Sequence, residues 1–219
     1  MQRSLDAEIL DGDGLDDDEV AQSYRELRAT HRWLGNTGAV LRLLKKAHAA
    51  RPLRRVLDIG CGQGALLEEI RRQLGVEVVG FDLRTAPPEC TVPIVAGDAV
   101  TDSLPRADVA VCVAMAHHLS QDEVAGLIRN VERSCDRLIL LDLVRHPVPL
   151  ALFRTFVRPL LGRVNAQDGQ TSIWRAFTAA EMRSIVDGAL AGSARPVSRM
   201  RHTVAPFWIR QVVDISWGD

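Results

Sequence analysis

Apolar residues recur along the chain in two patterns, one helical and one strand-like. Between residues 19 and 50 they follow helical spacing, and because Gly35-Asn36 interrupts the pattern and Pro52 ends it, two helices are predicted. From residue 54 onward, short apolar runs rich in β-branched residues alternate with helix-like stretches at 63–74 and 121–134. Such runs indicate parallel strands that helices cover on both faces. The runs are Val56–Ile59, Val76–Phe81, Val92–Val95, Val109–Val113 and Leu138–Leu143.

The C-terminal part predicts one more helix and two more strands. Thr178 begins a helix, and Glu181 three residues later completes a capping box. The strand-like runs Pro196–Val204 and Phe207–Ser216 meet near Ala205-Pro206 and predict an antiparallel hairpin. The predicted fold is therefore α/β: a Rossmann-like, doubly wound seven-stranded sheet with a C-terminal antiparallel hairpin and an N-terminal helical cap.

Composition places the 219-residue chain among ordinary globular proteins, since 47% of its residues are hydrophobic and 25% are charged. No CxxC pair, no secretory leader and no apolar run long enough for a membrane span is seen, so a protein with reduced thiols in the cytoplasm is expected. A formal net charge of −1 gives the whole molecule no attraction for nucleic acid. The cysteines are Cys61, Cys90, Cys112 and Cys135.

Charge is unevenly distributed. Residues 1–20 carry eight acids and the single base Arg3, so that the rest of the chain has a net charge of +6. Like charges in a cluster repel each other and stay solvated, which predicts an acidic, mobile N-terminus over residues 1–18. A helical cap over 19–51 and a main domain over 52–219 are expected to follow.

The clearest candidate site is a glycine-rich turn after the first strand, within VLDIGCGQG at 56–64. Glycines at 60, 62 and 64 permit positive φ and let a ligand approach the backbone at the carboxyl end of the strand. The spacing is GxGxG rather than the GxGxxG of dinucleotide sites, and Asp58 precedes it. Because a carboxylate repels a pyrophosphate and attracts an ammonium group, the turn favours a ligand with a cationic amino acid part.

Two further acids follow the next two strands. Asp82 ends the second strand, where a carboxylate accepts hydrogen bonds from both hydroxyls of a ribose. Asp98 follows the third strand, where it can accept from the exocyclic amine of adenine. Together with Asp58, they place acids at the carboxyl ends of three consecutive strands, which indicates a nucleoside site.

These residues resemble the class I S-adenosylmethionine-dependent methyltransferases, in particular the small-molecule, quinone-biosynthesis-like type. The resemblance covers 54–143 well and the C-terminal third loosely. The matching stretches are VLDIGCGQG (56–64), VVGFDL (78–83), AGDA (96–99), ADVAVCVAMAHHL (107–119) and RLILLDL (137–143).

The resemblance implies that S-adenosylmethionine is the cofactor and that the main domain is a methyltransferase domain. The loop glycines would contact the amino acid part, Asp82 the ribose, and Asp98 with Ala99 the adenine. Ala114 and Met115 would line the pocket near the sulfonium. The complete implied set is Asp58, Gly60, Cys61, Gly62, Asp82, Leu83, Asp98, Ala99, Ala114 and Met115.

His117 and His118, which follow the fourth strand, are the candidate catalytic residues, because an imidazole can take a proton from a phenol or hydroxyl. The alternative is structural: one histidine packs beneath the sheet and the other caps the next helix. No metal is expected, since adjacent side chains point in different directions and no other ligand cluster is evident. AMAH stands where DNA and protein-glutamine methyltransferases of this fold carry Asn or Asp before Pro-Pro-aromatic, which argues against a nucleic acid base or an amide nitrogen as acceptor.

A substrate lid is expected from the N-terminal helices and an insert at 147–176, whose apolar start precedes a polar loop at 165–172. Core packing, a wall for a lipophilic substrate and a membrane-surface helix are alternative interpretations of the apolar start. Arg145 is predicted to face the crevice and to pair with a carboxylate or phenolate of the acceptor. His31 and Trp33 either close over the cofactor or pack within the helices.

The sequence therefore predicts a methyltransferase that acts on a small, largely apolar molecule. O-methylation of a phenol-like or polyketide- or quinone-like secondary metabolite is the favoured reaction. An NAD(P)-dependent oxidoreductase and a non-catalytic nucleoside-binding module are the alternatives. The expected partner is the small-molecule acceptor, without nucleic acid or a membrane span, and the oligomeric state stays open.

Overall fold

The computed structural model describes residues 1–12, 14–86 and 90–218, and within them seven strands form a single sheet. The strands are β1 (Arg55–Ile59), β2 (Glu77–Asp82), β3 (Ile94–Ala96), β4 (Ala107–Val113), β5 (Cys135–Asp142), β6 (Val197–Val204) and β7 (Gln211–Trp217). Their order is β3-β2-β1-β4-β5-β7-β6. The first five pair in parallel, and β7 lies antiparallel between β5 and β6.

Helices pack on both faces of the sheet. They are α1 (Asp17–Trp33), α2 (Asn36–Ala50), α3 (Ala65–Leu74), α4 (Gln121–Ser134), α5 (Pro147–Leu152), α6 (Arg163–Arg175) and α7 (Ala179–Ala191). Alternate residues of β1 serve the two faces: Val56 packs with α2 and α3, whereas Leu57 and Ile59 pack with α4 and α7. The doubly wound seven-stranded sheet and its C-terminal hairpin are thereby confirmed.

Local signals placed several element ends accurately. The predicted helix at 121–134 is α4, and the capping box that begins α7 is present, with Thr178 Oγ1 accepting from the Glu181 amide at 3.2 Å. The last strand begins at Gln211 rather than at Phe207, because a 3₁₀ turn over Pro206–Trp208 precedes it. Strand β3 likewise begins two residues later than predicted.

The insert after β5 packs into the molecule. Leu150, Phe153, Val157 and Ile173 form a buried cluster with Leu34 against it, which agrees with the core-packing interpretation of the apolar stretch. The prediction of a polar loop at 165–172 is wrong, since these residues belong to α6. Their polar groups have tertiary partners: Asn165, for example, donates to the Ser23 carbonyl oxygen at 3.0 Å. None of the helices that the structure describes combines the length and apolar character needed to cross a bilayer.

Residues 1–12 lie against the domain, which differs from the solvated start predicted from their charge. The amides of Ile9 and Leu10 donate to the Asp168 carboxylate at 2.7 and 2.9 Å. The Arg3 guanidinium donates to the Leu119 carbonyl oxygen at 2.6 Å and stacks 3.9 Å above the Phe177 ring. The acidic segment therefore covers the carboxyl ends of β4 and β5. Of its acids, Asp13 lies outside the described residues.

Candidate cofactor and acceptor site

The glycine turn after β1 is held in a conformation that only glycine adopts without strain. Gly60, Gly62 and Gly64 have φ values of +71°, +53° and +78°. A Cβ on Gly60 would lie 2.6 Å from Met115 Cγ. The amide of Gly60 donates to the Phe81 carbonyl oxygen at 2.8 Å, so the turn is attached to the end of β2. This backbone arrangement is suited to a ligand that lies directly on the turn.

Asp58 is a buried carboxylate at the carboxyl end of β1. Burial, with the charge of Asp82 as the second cause, raises the pKa of Asp58 to about 8. Among the described residues no cation forms an ion pair with it. A cationic group of a ligand would therefore lower the free energy of the ionised form.

The acid after β2 and the acid after β3 both have backbone partners. Asp82 accepts from the amides of Gly62 and Arg84 at 2.8 and 3.0 Å, which fixes its carboxylate beside the glycine turn. Asp98 accepts from the Val100 amide at 2.8 Å, a turn that any aspartate at a strand end can form. Both carboxylates keep lone pairs for a ligand, since each carries about four acceptor sites.

The other predicted cofactor residues have different environments. The Cys61 thiol packs against the backbone of Gly80 and has a pKa raised by burial, so only its backbone is available to a ligand on the turn. Leu83 is 78% exposed beside Asp82, whereas Ala99 is buried. The Ala114 backbone has φ of +52°, and its amide donates to the Leu141 carbonyl oxygen at 2.8 Å. This turn brings the neighbouring Met115 over Gly60.

His117 is buried between two carboxylates. Its Nδ1 lies 2.7 Å from Asp142 Oδ1, and its Nε2 lies 3.5 Å from Glu8 Oε1. Burial alone would lower the pKa of His117, but Asp142 and Glu8 outweigh it and raise the pKa to about 10. The imidazole therefore carries its proton at neutral pH in this arrangement, which differs from the neutral imidazole that a general base requires.

His118 lies beside His117 and not on the opposite side of the turn. The two ring centroids are 4.3 Å apart, which contradicts the expectation that adjacent histidines diverge. His118 Nδ1 lies 3.1 Å from Asp11 Oδ2, and its Nε2 lies 3.9 Å from Glu8 Oε1. The residues next to the turn after β4 thus include two acids of the N-terminal segment, which local sequence patterns did not indicate.

Arg145 is the buried arginine that the sequence placed at the crevice. Its Nη2 donates to Glu181 Oε2 at 2.6 Å. Its Nε and Nη1 are the buried side-chain polar atoms, among the described residues, that have no hydrogen-bond partner. Because nearly all buried polar groups in proteins are paired, the two nitrogens indicate a ligand or water at this point.

The two remaining acceptor-site candidates lie on or next to α1. Burial, with the charge of His117 as the second cause, lowers the pKa of His31 to about 4 and keeps it neutral. Trp33 is 63% exposed, and its ring does not pack within the helices.

Asp142 contacts the candidate residue His117 and Glu181 contacts the candidate residue Arg145, and sequence reasoning identified neither contact. Asp142 is the last residue of β5, within LILLDL. Because Asp58 and Asp82 also lie at or near the ends of their strands, the same pattern could have indicated Asp142 from the sequence. Glu181 was recognised as a helix cap, and its contact with Arg145 depends on the tertiary structure.

An open depression of about 740 Å³ lies at the opposite edge of the sheet, near the amino ends of the strands. Exposed charged side chains such as Arg55, Arg106 and Asp136 line it, and it contains none of the predicted site residues. We place the candidate site at the carboxyl ends instead, because the buried carboxylates and the positive-φ glycines lie there. Arg145, which pairs with Glu181 but has two unpartnered nitrogens, follows β5 at the same end of the sheet.

Comparison with known proteins agrees with this geometry. A family model described as "Methyltransferase domain" matches residues 24–154. The ubiquinone biosynthesis O-methyltransferase of Nitrosococcus oceani is 37% identical over 86 residues, which are 33% of this chain and 33% of that protein. The indolepyruvate C-methyltransferase of Streptomyces griseus is 29% identical over 130 residues, 52% of this chain and 37% of that protein. The matches span about a third of the length of these curated relatives.

Solved structures share the fold. The plantazolicin methyltransferase BpumL in complex with SAH (S-adenosylhomocysteine) superposes with a TM-score of 0.68 at 14% identity, covering 93% of this chain and 91% of its own. At this identity the likeness concerns the fold alone.

Proposed function

The chain belongs to the methyltransferase-domain family, and from this membership we propose that it transfers the methyl group of S-adenosylmethionine to a small molecule with an anionic group. The observation that carries the acceptor part is Arg145, which is buried with two unpaired nitrogens. A buried guanidinium gains most from a planar anion such as a carboxylate or phenolate. The acceptor is thus a small acid or acidic phenol with an apolar body.

The donor half of the proposal rests on the turn after β1. Asp58 would hold the ammonium group of S-adenosylmethionine, and Gly60 and Gly62 would admit its amino acid part. The carboxylates of Asp82 and Asp98 would accept from the ribose and adenine. A dinucleotide is disfavoured, because its pyrophosphate would lie beside the Asp58 carboxylate.

The transfer is a displacement at the methyl carbon of a sulfonium, so the protein mainly aligns the nucleophile. Asp142 binds Nδ1 of His117, and Nε2, which lies 3.5 Å from Glu8, would hydrogen-bond the nucleophile in place of Glu8. His118 and His31 would contribute to the wall of the acceptor site. Trp33 would cover its entrance from the end of α1.

O-methylation of a phenol-like acceptor is the first candidate reaction. C-methylation next to a carboxylate is the second, because the unpaired nitrogens of Arg145 suit a carboxylate as well as a phenolate. One relative is named for transfer to oxygen and the other for transfer to the carbon of indolepyruvate.

The substitution Arg145→Gln separates acceptor recognition from donor binding. Charged hydrogen bonds contribute about 1.5–3 kcal/mol, so we expect KM for an acidic acceptor to rise roughly 10- to 100-fold while SAH affinity stays unchanged. Initial rates on phenols with and without a carboxylate, combined with SAH titration calorimetry, measure both quantities. Arg154→Gln, which alters an exposed arginine of the insert, is the matched control.

Other outcomes contradict the proposal in distinct ways. Binding of NADPH without binding of SAH would show an oxidoreductase. Binding of SAH without turnover on any acceptor would show a nucleoside-binding module. Equal KM values in the Arg145→Gln variant and the wild type would remove Arg145 from acceptor recognition.

A further inference from the structure

We propose that Glu8, His117 and His118 form a binding site for a divalent transition-metal ion. The site would use two imidazole nitrogens and one carboxylate oxygen, a ligand set that suits Zn²⁺ and its first-row neighbours better than Mg²⁺ or Ca²⁺. The proposal goes beyond methyl transfer, and its test measures metal binding directly. It therefore stands or falls independently of the proposed activity.

The three side chains converge on one point. Glu8 Oε1 lies 3.5 Å from His117 Nε2 and 3.9 Å from His118 Nε2, and the potential ligand atoms all lie within 4.8 Å of one another. Tetrahedral Zn²⁺ with bonds of about 2.0–2.1 Å holds its ligand atoms about 3.4 Å apart. Glu8 lies within about 0.5 Å of that spacing from each histidine, and no pair of ligand atoms exceeds it by more than about 1.4 Å, so side-chain rotations would complete the site.

Each imidazole also has the outer partner that metal-binding histidines usually have. Nδ1 of His117 lies 2.7 Å from Asp142, and Nδ1 of His118 lies 3.1 Å from Asp11. A carboxylate on Nδ1 keeps the proton on that nitrogen, and the Nε2 proton of His117 would leave when a metal takes its place. Asp142 orients His117 and Asp11 orients His118, so that both Nε2 atoms face the same Glu8 oxygen.

The carboxylate ligand is fixed in place as well. Ser172 Oγ of α6 donates to Glu8 Oε1 at 2.7 Å. Two residues further on, the backbone amide of Leu10 is bound by Asp168 of the same helix. These contacts with α6 hold Glu8 next to the histidines. The Glu8 side chain is only 10% exposed, so it is part of the packed structure.

Three protein ligands leave at least one coordination position for water or for an oxygen of the acceptor. A metal would also occupy the His117 nitrogen that otherwise meets the nucleophile. A loaded site would therefore contact an acceptor through its open position. It would also attach residues 1–12 to the turn after β4, because Glu8 belongs to that segment.

Zn²⁺ titration of the tag-free, full-length chain tests the proposal, with Co²⁺ absorption as a second readout of the ligand geometry. We expect one Zn²⁺ per chain with micromolar or tighter affinity. Glu8→Gln and His118→Gln should each weaken binding by at least 10-fold. Asp11→Asn, which alters only the outer partner of His118, should weaken it by about 10-fold without abolishing it.

Two control variants alter residues elsewhere in the chain that could also bind a metal. His202→Gln alters a histidine on β6 that hydrogen-bonds to Gln211, and Cys90→Ser alters a partly exposed thiol. Both should bind Zn²⁺ as the wild type does. Circular dichroism of every variant checks that the fold is intact.

The absence of Zn²⁺ binding at tens of micromolar Zn²⁺ would overturn the proposal. The cluster would then be held together by hydrogen bonds and ion pairs alone. Equal binding by the wild type, Glu8→Gln and His118→Gln would overturn it too. If SAH fails to bind while Zn²⁺ binding depends on Glu8 and His118, the proposed methyl transfer fails and the metal site stands. If SAH binds while Zn²⁺ binding does not depend on Glu8 and His118, the metal site fails and the proposed methyl transfer stands.

Discussion

At the scale of single residues, Asp58 is in conflict with its own surroundings. A carboxylate buried at the end of a central strand lacks the water that would solvate its charge, and Asp82 adds repulsion. A residue chosen for stability alone would be neutral here. Sites that break such a local rule are typically functional, which agrees with a cationic ligand on the turn after β1.

Replacing this acid should separate stability from binding. The pKa of Asp58 is raised from 3.8 to about 8, so the folded state keeps a proton that the unfolded chain loses, and the free energy of unfolding falls as pH rises from about 4 to about 8. Asp58→Asn removes this penalty. We expect the variant to be more stable than the wild type by on the order of 3 kcal/mol at pH 9, with a smaller difference at pH 5.

Urea unfolding between pH 5 and 9 measures the difference, and SAH titration should show weaker binding by the variant. Asp187→Asn, on the exposed face of α7, is the control and should leave the pH dependence unchanged. A constant difference across the pH range would mean that Asp58 is ionised throughout.

At the scale of elements, α6 shows how packing can override helix preference. Residues 165–172 of this helix include Asn165, Asp168 and Gly169, which are weak helix formers, and the sequence predicts a polar loop there. The helix forms because its polar side chains bind α1 and residues 9–10, while Gly169 lets the ring of Phe153 approach its backbone. None of these partners is close in sequence.

The same substitution at two helical glycines should have opposite effects. A Cβ on Gly169 would clash with the ring of buried Phe153, whereas a Cβ on Gly188 of α7 meets nothing within 4 Å. Gly169→Ala should therefore destabilise the protein by about 1–3 kcal/mol through overpacking. Gly188→Ala should stabilise it by up to about 1 kcal/mol through helix propensity. Denaturant unfolding measures both, and stabilisation by both would show that Phe153 moves aside.

At the scale of the whole molecule, the sheet order brings the site together. Strands β2, β1, β4 and β5 are neighbours in space, and their parallel pairing places Asp82, Asp58, Met115 and Asp142 along one edge of the sheet. Residues 1–12 and α6 then cover the part of this edge next to β4 and β5. Ligand binding should therefore stabilise the entire domain.

SAH should raise the melting temperature with the logarithm of its concentration above Kd. At 100 times Kd, a ligand that binds only the folded state adds about 2.7 kcal/mol to the free energy of unfolding. Gly60→Ala should reduce the shift, since its Cβ would lie 2.6 Å from Met115 Cγ and its φ is +71°. Thermal scans with SAH and with NADPH make the comparison. A shift with NADPH alone would contradict the proposed cofactor.

Features that depend on nearby residues could be predicted from the amino-acid order. Apolar runs indicated five parallel strands, glycine spacing indicated the turn after β1, and Thr178 with Glu181 indicated a helix start. In each case the residues that decide the structure lie within a few positions of one another. The same holds for the acids proposed to bind the donor, because each lies at or just after the end of a strand that its own sequence identifies.

The acceptor side was decided by contacts between distant segments. Glu8 and Asp11 meet His117 and His118 only because Asp168 and Ser172 of α6 bind the N-terminal segment. By itself that segment is a run of like charges, for which solvation is the natural prediction. The burial and charge pairing of a residue depend on the neighbours that it acquires on folding. The amino-acid order therefore determined the strands and the glycine turn after β1. Only the tertiary structure decided what surrounds the two histidines.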